Sequence, residues 1–208
     1  MVKPGALWAF EGIDGCGKST QLELLREHLE RTRPESRPLI LREPGGTPVG
    51  ERLRELLLHT DADELCPDSE VLLLMASRAE LVRQRVAPLR AEGRHVLLDR
   101  SWYSTVAYQG GGSGVDADYI AQLARRVLGV HEPERVVLLD VSPTEAAARR
   151  GTAGQDRIES RGLAYFEAVA SAYRDFARAE PQRFVLVNGS LDPQSVHARV
   201  LEGLGEHG

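Results

Sequence analysis

Five short apolar runs punctuate the chain: Leu7 to Phe10, Leu39 to Leu41, Val96 to Leu98, Val136 to Leu139 and Phe184 to Val187. Each is too short for a helix and lacks the polar alternation of a half-exposed strand. The pattern predicts strands buried on both faces, as in a parallel sheet. Between them, helical patterns cover Ser19–Thr32, Val49–Leu58, Ser69–Arg90, Ala117–Leu128, Thr144–Arg150, Ala164–Ala179 and Pro193–Leu204. Strands alternating with helices predict an α/β fold, a five-stranded parallel sheet with helices on both faces. Gly110–Gly114, glycine-rich and followed by Asp116, predicts a loop leading into a helix. Arg150–Gly154 has two glycines and no apolar anchor, and fits a surface loop and a mobile lid equally well.

Composition narrows the class. A chain of 208 residues with 42% hydrophobic and 27% charged residues suits one compact soluble unit, spanning 1–208. The net charge of −5 argues against a dedicated nucleic-acid binder. No apolar run reaches membrane-spanning length, and Met1 to Trp8 lacks a basic-then-apolar leader. Cys16 and Cys66 form neither a disulfide framework nor a zinc pattern, so both are expected as free thiols in a reducing, cytoplasmic setting.

The chemistry begins at Gly12-Ile13-Asp14-Gly15-Cys16-Gly17-Lys18-Ser19, followed by Thr20, which satisfies G-x-x-x-x-G-K-[ST] between a strand and a helix. Glycines let successive backbone N–H groups turn inward around a phosphate, and the helix N-terminus adds partial positive charge. Lys18 is suited to the β- and γ-phosphates, and the Ser19 hydroxyl to Mg²⁺. The loop establishes nucleoside triphosphate binding without fixing a reaction. Asp99 ends an apolar strand, where it either helps hold Mg²⁺ through water or caps the following helix. Arg100 follows it and supplies a cation of the kind needed where two phosphate groups are brought together. The base-reading N-K-x-D motif of GTPases is absent. Arg42-Glu43-Pro44-Gly45-Gly46-Thr47 follows a strand, as either a connecting turn or part of the crevice.

Four stretches together resemble thymidylate kinase from about Leu7 to Val187: Phe10-Glu11-Gly12-Ile13-Asp14-Gly15, Arg42-Glu43-Pro44-Gly45-Gly46-Thr47, Asp99-Arg100 with Ala107-Tyr108-Gln109-Gly110, and Asp156-Arg157-Ile158-Glu159. The resemblance implies a P-loop NTPase fold with a short lid at about 149–158. It implies transfer of the γ-phosphoryl of Mg·ATP to dTMP in a homodimer. Asp14 would contact the acceptor sugar, and Arg100 the acceptor phosphate, with Arg42 and Arg54 close by. Arg78, Thr105 and Gln109 would meet the thymine edge, and Tyr108 would pack beneath the deoxyribose. Glu43, Pro44, Leu74 and Ser104 would complete that site, and Asp99 would organise Mg²⁺ and its waters.

Two features locate the chain within the family. Gly15 stands where some members carry an arginine, which passes the cation's task to the lid arginines Arg149, Arg150 and Arg157, with Arg149 or Arg150 favoured. An Arg-Arg pair at a helix end also suits the helix dipole. Leu74 stands where the family usually stacks an aromatic ring on thymine, which keeps another pyrimidine monophosphate, such as dUMP or UMP, open as the acceptor. An ATP-binding switch without transferase activity is the alternative of a different class. The acceptor-side residues Arg42, Arg78, Arg100 and Gln109 weigh against it.

Overall fold

A computed structural model describes residues 3–59, 65–150 and 157–206. Five strands, β1 (Leu7–Glu11), β2 (Leu39–Arg42), β3 (Val96–Asp99), β4 (Arg135–Asp140) and β5 (Phe184–Asn188), form an all-parallel sheet in the order β2-β3-β1-β4-β5. β1 lies between β3 and β4, so the chain departs to opposite sides of it. The carboxyl ends beside such a switch point form the crevice of an open α/β sheet. The register sets Phe10, Arg42 and Asp99 level with one another at that edge.

The inner strands are buried on both faces as anticipated, and the outer ones are not. Leu39 and Ile40 of β2 are only partly covered, and Leu186 of β5 is 57% exposed. Edge position outweighs residue type here, because an edge strand has neighbours on one side only.

The helices are α1 (Lys18–Thr32), α2 (Pro48–His59), α3 (Pro67–Leu81), α4 (Ala87–Ala91), α5 (Trp102–Thr105), α6 (Ala117–Leu128), α7 (Pro143–Arg150), α8 (Leu163–Ala179) and α9 (Pro193–Leu204). The single helix expected over Ser69–Arg90 is interrupted by a π-helical turn at Val82–Val86. Pro88 lacks the N–H that would continue the ladder, and the wider turn accommodates the gap. Asp116 caps α6 by accepting from the backbone N–H groups of Asp118 and Tyr119.

Gly110–Gly114 departs further from expectation. Val106–Gly112 continues α5 as a π-helical turn packed on α8. A Cβ on Gly112 would lie 2.3 Å from the Tyr165 ring, and one on Gly111 would lie 2.8 Å from Cβ of Ala172. These glycines allow two helical segments to approach closely. One apolar cluster includes residues of all five strands and of α1, α3, α6, α8 and α9. Among the described residues no helix is long and apolar enough to cross a membrane. Both cysteines are free thiols.

Candidate active site

The phosphate loop leaves β1 through backbone that glycine adopts readily. Gly12, Gly15 and Gly17 have φ of 132°, 87° and 99°. Space also requires Gly15, since a Cβ there would stand 2.4 Å from the Ala146 carbonyl oxygen. Gly17 caps α1, whose first free N–H groups therefore open onto the loop. The Nζ of Lys18 donates to the carbonyls of Gly12 (3.0 Å) and Ile13 (3.2 Å), which holds the ammonium against the loop.

Ser19, Thr20 and Asp99 line the same cavity as Lys18. The Oδ1 of Asp99 is buried without a hydrogen-bond partner, a state that favours a cation or ordered water beside it. Ser19 and Asp99 together offer the hard oxygen donors that suit Mg²⁺. That ion keeps several waters and shares phosphate oxygens rather than occupying an all-protein cage. Among the described residues no group of three or more His, Cys, Asp or Glu side chains is placed to hold a metal ion.

Arg100 joins this cavity to a second one. Its φ of 71° is left-handed, which costs a residue with a Cβ about 1–2 kcal/mol. Its Nη1 donates to the Gly12 carbonyl (3.0 Å) and Ser104 Oγ (3.1 Å), and its Nη2 to Asp14 Oδ1 (2.6 Å) and the Tyr108 hydroxyl oxygen (3.1 Å). The Tyr108 hydroxyl donates in turn to Asp14 Oδ2 at 3.0 Å. Burial opposes the charge on Asp14, but Arg100 and Lys18 outweigh it and hold the carboxyl well below the usual range. Burial pushes the Tyr108 hydroxyl well up, so it remains a donor.

Glu11, fully buried at the end of β1, braces the other side of Arg100. It accepts from the Ser101 N–H (2.7 Å), the hydroxyls of Ser101 (2.8 Å) and Ser104 (2.6 Å), and the Tyr173 hydroxyl (2.9 Å).

The second cavity is lined by Glu43, Pro44, Thr105, Tyr108 and Gln109, and by Glu70, Leu74 and Arg78 from successive turns of α3. Arg78 is 2% exposed and donates through Nε to Glu43 (2.6 Å) and through Nη2 to Thr105 (3.1 Å). Burial pushes the Glu43 carboxyl up, against the pull of Arg78. Leu74 is half-buried and faces this cavity, so it is more than core filling. Arg54 donates to the Pro44 carbonyl at 3.2 Å and borders both cavities. Arg42 turns instead to Glu51 at 2.8 Å, on the rim of the phosphate cavity. The two cavities share Asp14, Glu43, Arg54 and Arg100 as a common wall.

The lid arginines separate into three environments. Residues 151–156, which hold most of the expected lid and Asp156, lie outside the described residues. Arg157 is buried and donates to Glu70 (2.7 Å) and to the Leu57 carbonyl (3.1 Å), so its side chain ties the chain to α2 and α3. Arg149 donates to the Gly189 carbonyl (2.9 Å) and Glu145 (2.6 Å), and borders both the phosphate cavity and a groove lined by Gly189, Leu191 and Pro193. Arg150 packs close enough to Gly15 that a Cβ there would lie 2.9 Å from its Cγ. Its guanidinium covers the Phe166 ring, and Nη1 is buried without a hydrogen-bond partner.

Three contributors were not singled out from sequence: Glu11, Glu70 and Tyr173. Glu70 had a usable signal, because Glu70, Leu74 and Arg78 repeat every four residues along one helix face. The partners of Glu11 lie at least 90 residues away in the chain, so no local pattern marks them.

Comparison with known proteins agrees with this geometry. The family model described as thymidylate kinase matches residues 10–200. A thymidylate kinase of Chlorobaculum parvum is 40% identical, the match covering 95% of this chain and 94% of that protein. One of Synechococcus sp. is 43% identical, over 98% of this chain and 96% of its own length. The crystal structure of thymidylate kinase from Ehrlichia chaffeensis superposes with a TM-score of 0.80 at 32% identity, covering 97% of this chain and all of that one. Likeness of this extent, in sequence and in fold alike, makes the chain a member of the thymidylate kinase family.

Proposed function

We propose that the protein transfers the γ-phosphoryl group of ATP to the phosphate of dTMP, giving dTDP and ADP. The observation that carries this reading is the wall shared by the two cavities: a phosphate-loop cavity and a pocket suited to a flat base meet at Asp14 and Arg100. A donor in one and an acceptor in the other would bring their phosphates together beside the same guanidinium. The acceptor phosphate is already ionised, so no strong general base is required, and positioning with charge neutralisation dominates. Lys18 and the loop N–H groups hold the donor's terminal phosphates, and Arg100 holds the acceptor's. Mg²⁺, when bound near Ser19 and Asp99, supplies further neutralisation of the phosphate charge.

In the acceptor pocket, Arg78, Thr105 and Gln109 meet the base edge, Leu74 covers its face, and Tyr108 lies under the sugar. Asp14 contacts the sugar hydroxyl. The groove bordered by Arg149, Leu191 and Pro193 suits the base of ATP, and Arg150 supplies the lid cation through its unpaired Nη1. The protein acts in the cytoplasm as a homodimer, a state supported by Leu56 of α2 and Leu72 of α3, at 43% and 51% exposure on helices that pack together. A switch protein would need only the first cavity. Purified protein with Mg·ATP should therefore release ADP in proportion to added dTMP. ATP hydrolysis indifferent to dTMP would favour the switch.

A further inference from the structure

We infer that Glu70 fixes the base preference of the acceptor pocket by holding the Gln109 amide so that its oxygen faces the base. This rests on the acceptor pocket assigned above and adds to it a residue that the base need not touch.

Glu70 is 1% exposed and divides its carboxylate between two tasks. Its Oε1 accepts from Arg157 Nη1 at 2.7 Å and from Arg161 Nη2 at 2.6 Å. Its Oε2 accepts from Gln109 Nε2 at 2.9 Å. The two guanidiniums are themselves anchored, Arg157 on the Leu57 carbonyl (3.1 Å) and Arg161 on Ser113 Oγ (2.6 Å). They favour the ionised carboxylate, and together with Gln109 they bring its protonation below the ordinary range despite burial. An ionised carboxylate can only accept. Gln109 must therefore turn its NH₂ toward Glu70, an orientation that chemistry dictates regardless of which amide atom is drawn where.

With one N–H given to Glu70, the amide keeps a second N–H on the same nitrogen and, on the side turned from Glu70, Oε1, an acceptor on a side chain that lines the cavity. A pyrimidine-2,4-dione carries an N–H at ring position 3 and can donate to it. Cytosine presents a lone pair at the same position and meets an acceptor with an acceptor. Glu70 thus converts an amide able to adopt two orientations into a reader of one proton pattern. It is a positioning residue, acting through Gln109.

Glu70→Gln tests this with nearly unchanged shape. Its single carbonyl oxygen is claimed by the two guanidiniums, so its NH₂ faces Gln109. Gln109 must then turn Oε1 toward residue 70 and Nε2 toward the base. The ratio of kcat/KM for dTMP to that for dCMP should fall about tenfold or more, the worth of one buried hydrogen bond made or lost. The double variant Glu70→Gln with Gln109→Glu keeps the total charge. It accepts from the new NH₂ with one oxygen and offers the other to the base, so the ratio should return toward that of the parent protein. A merely structural role would lower both kcat/KM values together.

An unchanged ratio in the single variant, or a double variant no better than the single, overturns the inference. If the single variant does not fold, the double variant alone decides, and loss of dTMP preference in it overturns the inference. A parent protein that does not turn over dTMP refutes the acceptor assignment itself, a result distinct from either.

Discussion

Arg100 and Asp14 are the residues on which both halves of the site depend. Arg100 holds a left-handed backbone and makes five hydrogen bonds, the fifth to the Tyr173 hydroxyl oxygen, which fix its guanidinium between loop and pocket. Lysine could supply the charge there but not the planar fork. Asp14 gives this pair a pH signature. Its folded carboxyl lies below the unfolded value of about 3.9, so in acid the unfolded chain binds the extra proton. The stabilisation is present above that value and lost as pH falls through the folded one. Melting temperatures taken from about pH 5 downward should therefore fall in the parent protein. In Asp14→Asn the fall should be shallower, since that variant lacks the pair throughout. Parallel curves would show that the pair contributes nothing in this window. Glu70, also lowered, leaves a residual slope of the same sign in both.

Among the elements, α7 delivers two neighbouring arginines to different surroundings. Arg149 is bonded to Gly189 and Glu145 at the edge of the groove assigned to the ATP base, and Arg150 lies over Gly15 with a donor unspent. Arg150→Ala should lower kcat by about 10³-fold or more, the range of a transition-state arginine. Arg149→Ala should act mainly on the KM for ATP. Steady-state kinetics on both variants checks the division, and the reverse pattern would exchange the two roles. The strands and principal helices were legible because apolar runs and helical spacing are local. Edge exposure in β2 and β5 was not, since it depends on neighbours in space. Gly111 and Gly112 misled for a related reason: glycine marks a loop only when backbone freedom is its purpose, and here the purpose is room for Tyr165 and Ala172. The site showed the same division. Gly12–Ser19 and Asp99-Arg100 announce themselves, whereas Glu11 gains its meaning from Ser101, Ser104 and Tyr173 across the fold.

At the scale of the whole molecule, a parallel sheet brings three strand ends level, and the loops leaving them place two cavities against one wall. That arrangement accounts for phosphoryl transfer between two nucleotides better than for the binding of one. Leu74 stands in the acceptor cavity where the resemblance implies an aromatic ring. An aliphatic side chain there would cover the base without the stacking contribution of about 1–3 kcal/mol that an aromatic ring supplies. The hydrogen-bonding edge formed by Arg78, Thr105 and Gln109, with Glu70 behind it, then selects a pyrimidine-2,4-dione over cytosine, while the choice of thymine over uracil falls to packing around the 5-methyl group. The most direct test is turnover by the purified protein with Mg·ATP across dTMP, dUMP, UMP and dCMP. The account predicts the highest kcat/KM for dTMP, and a preference for dUMP or UMP would contradict it.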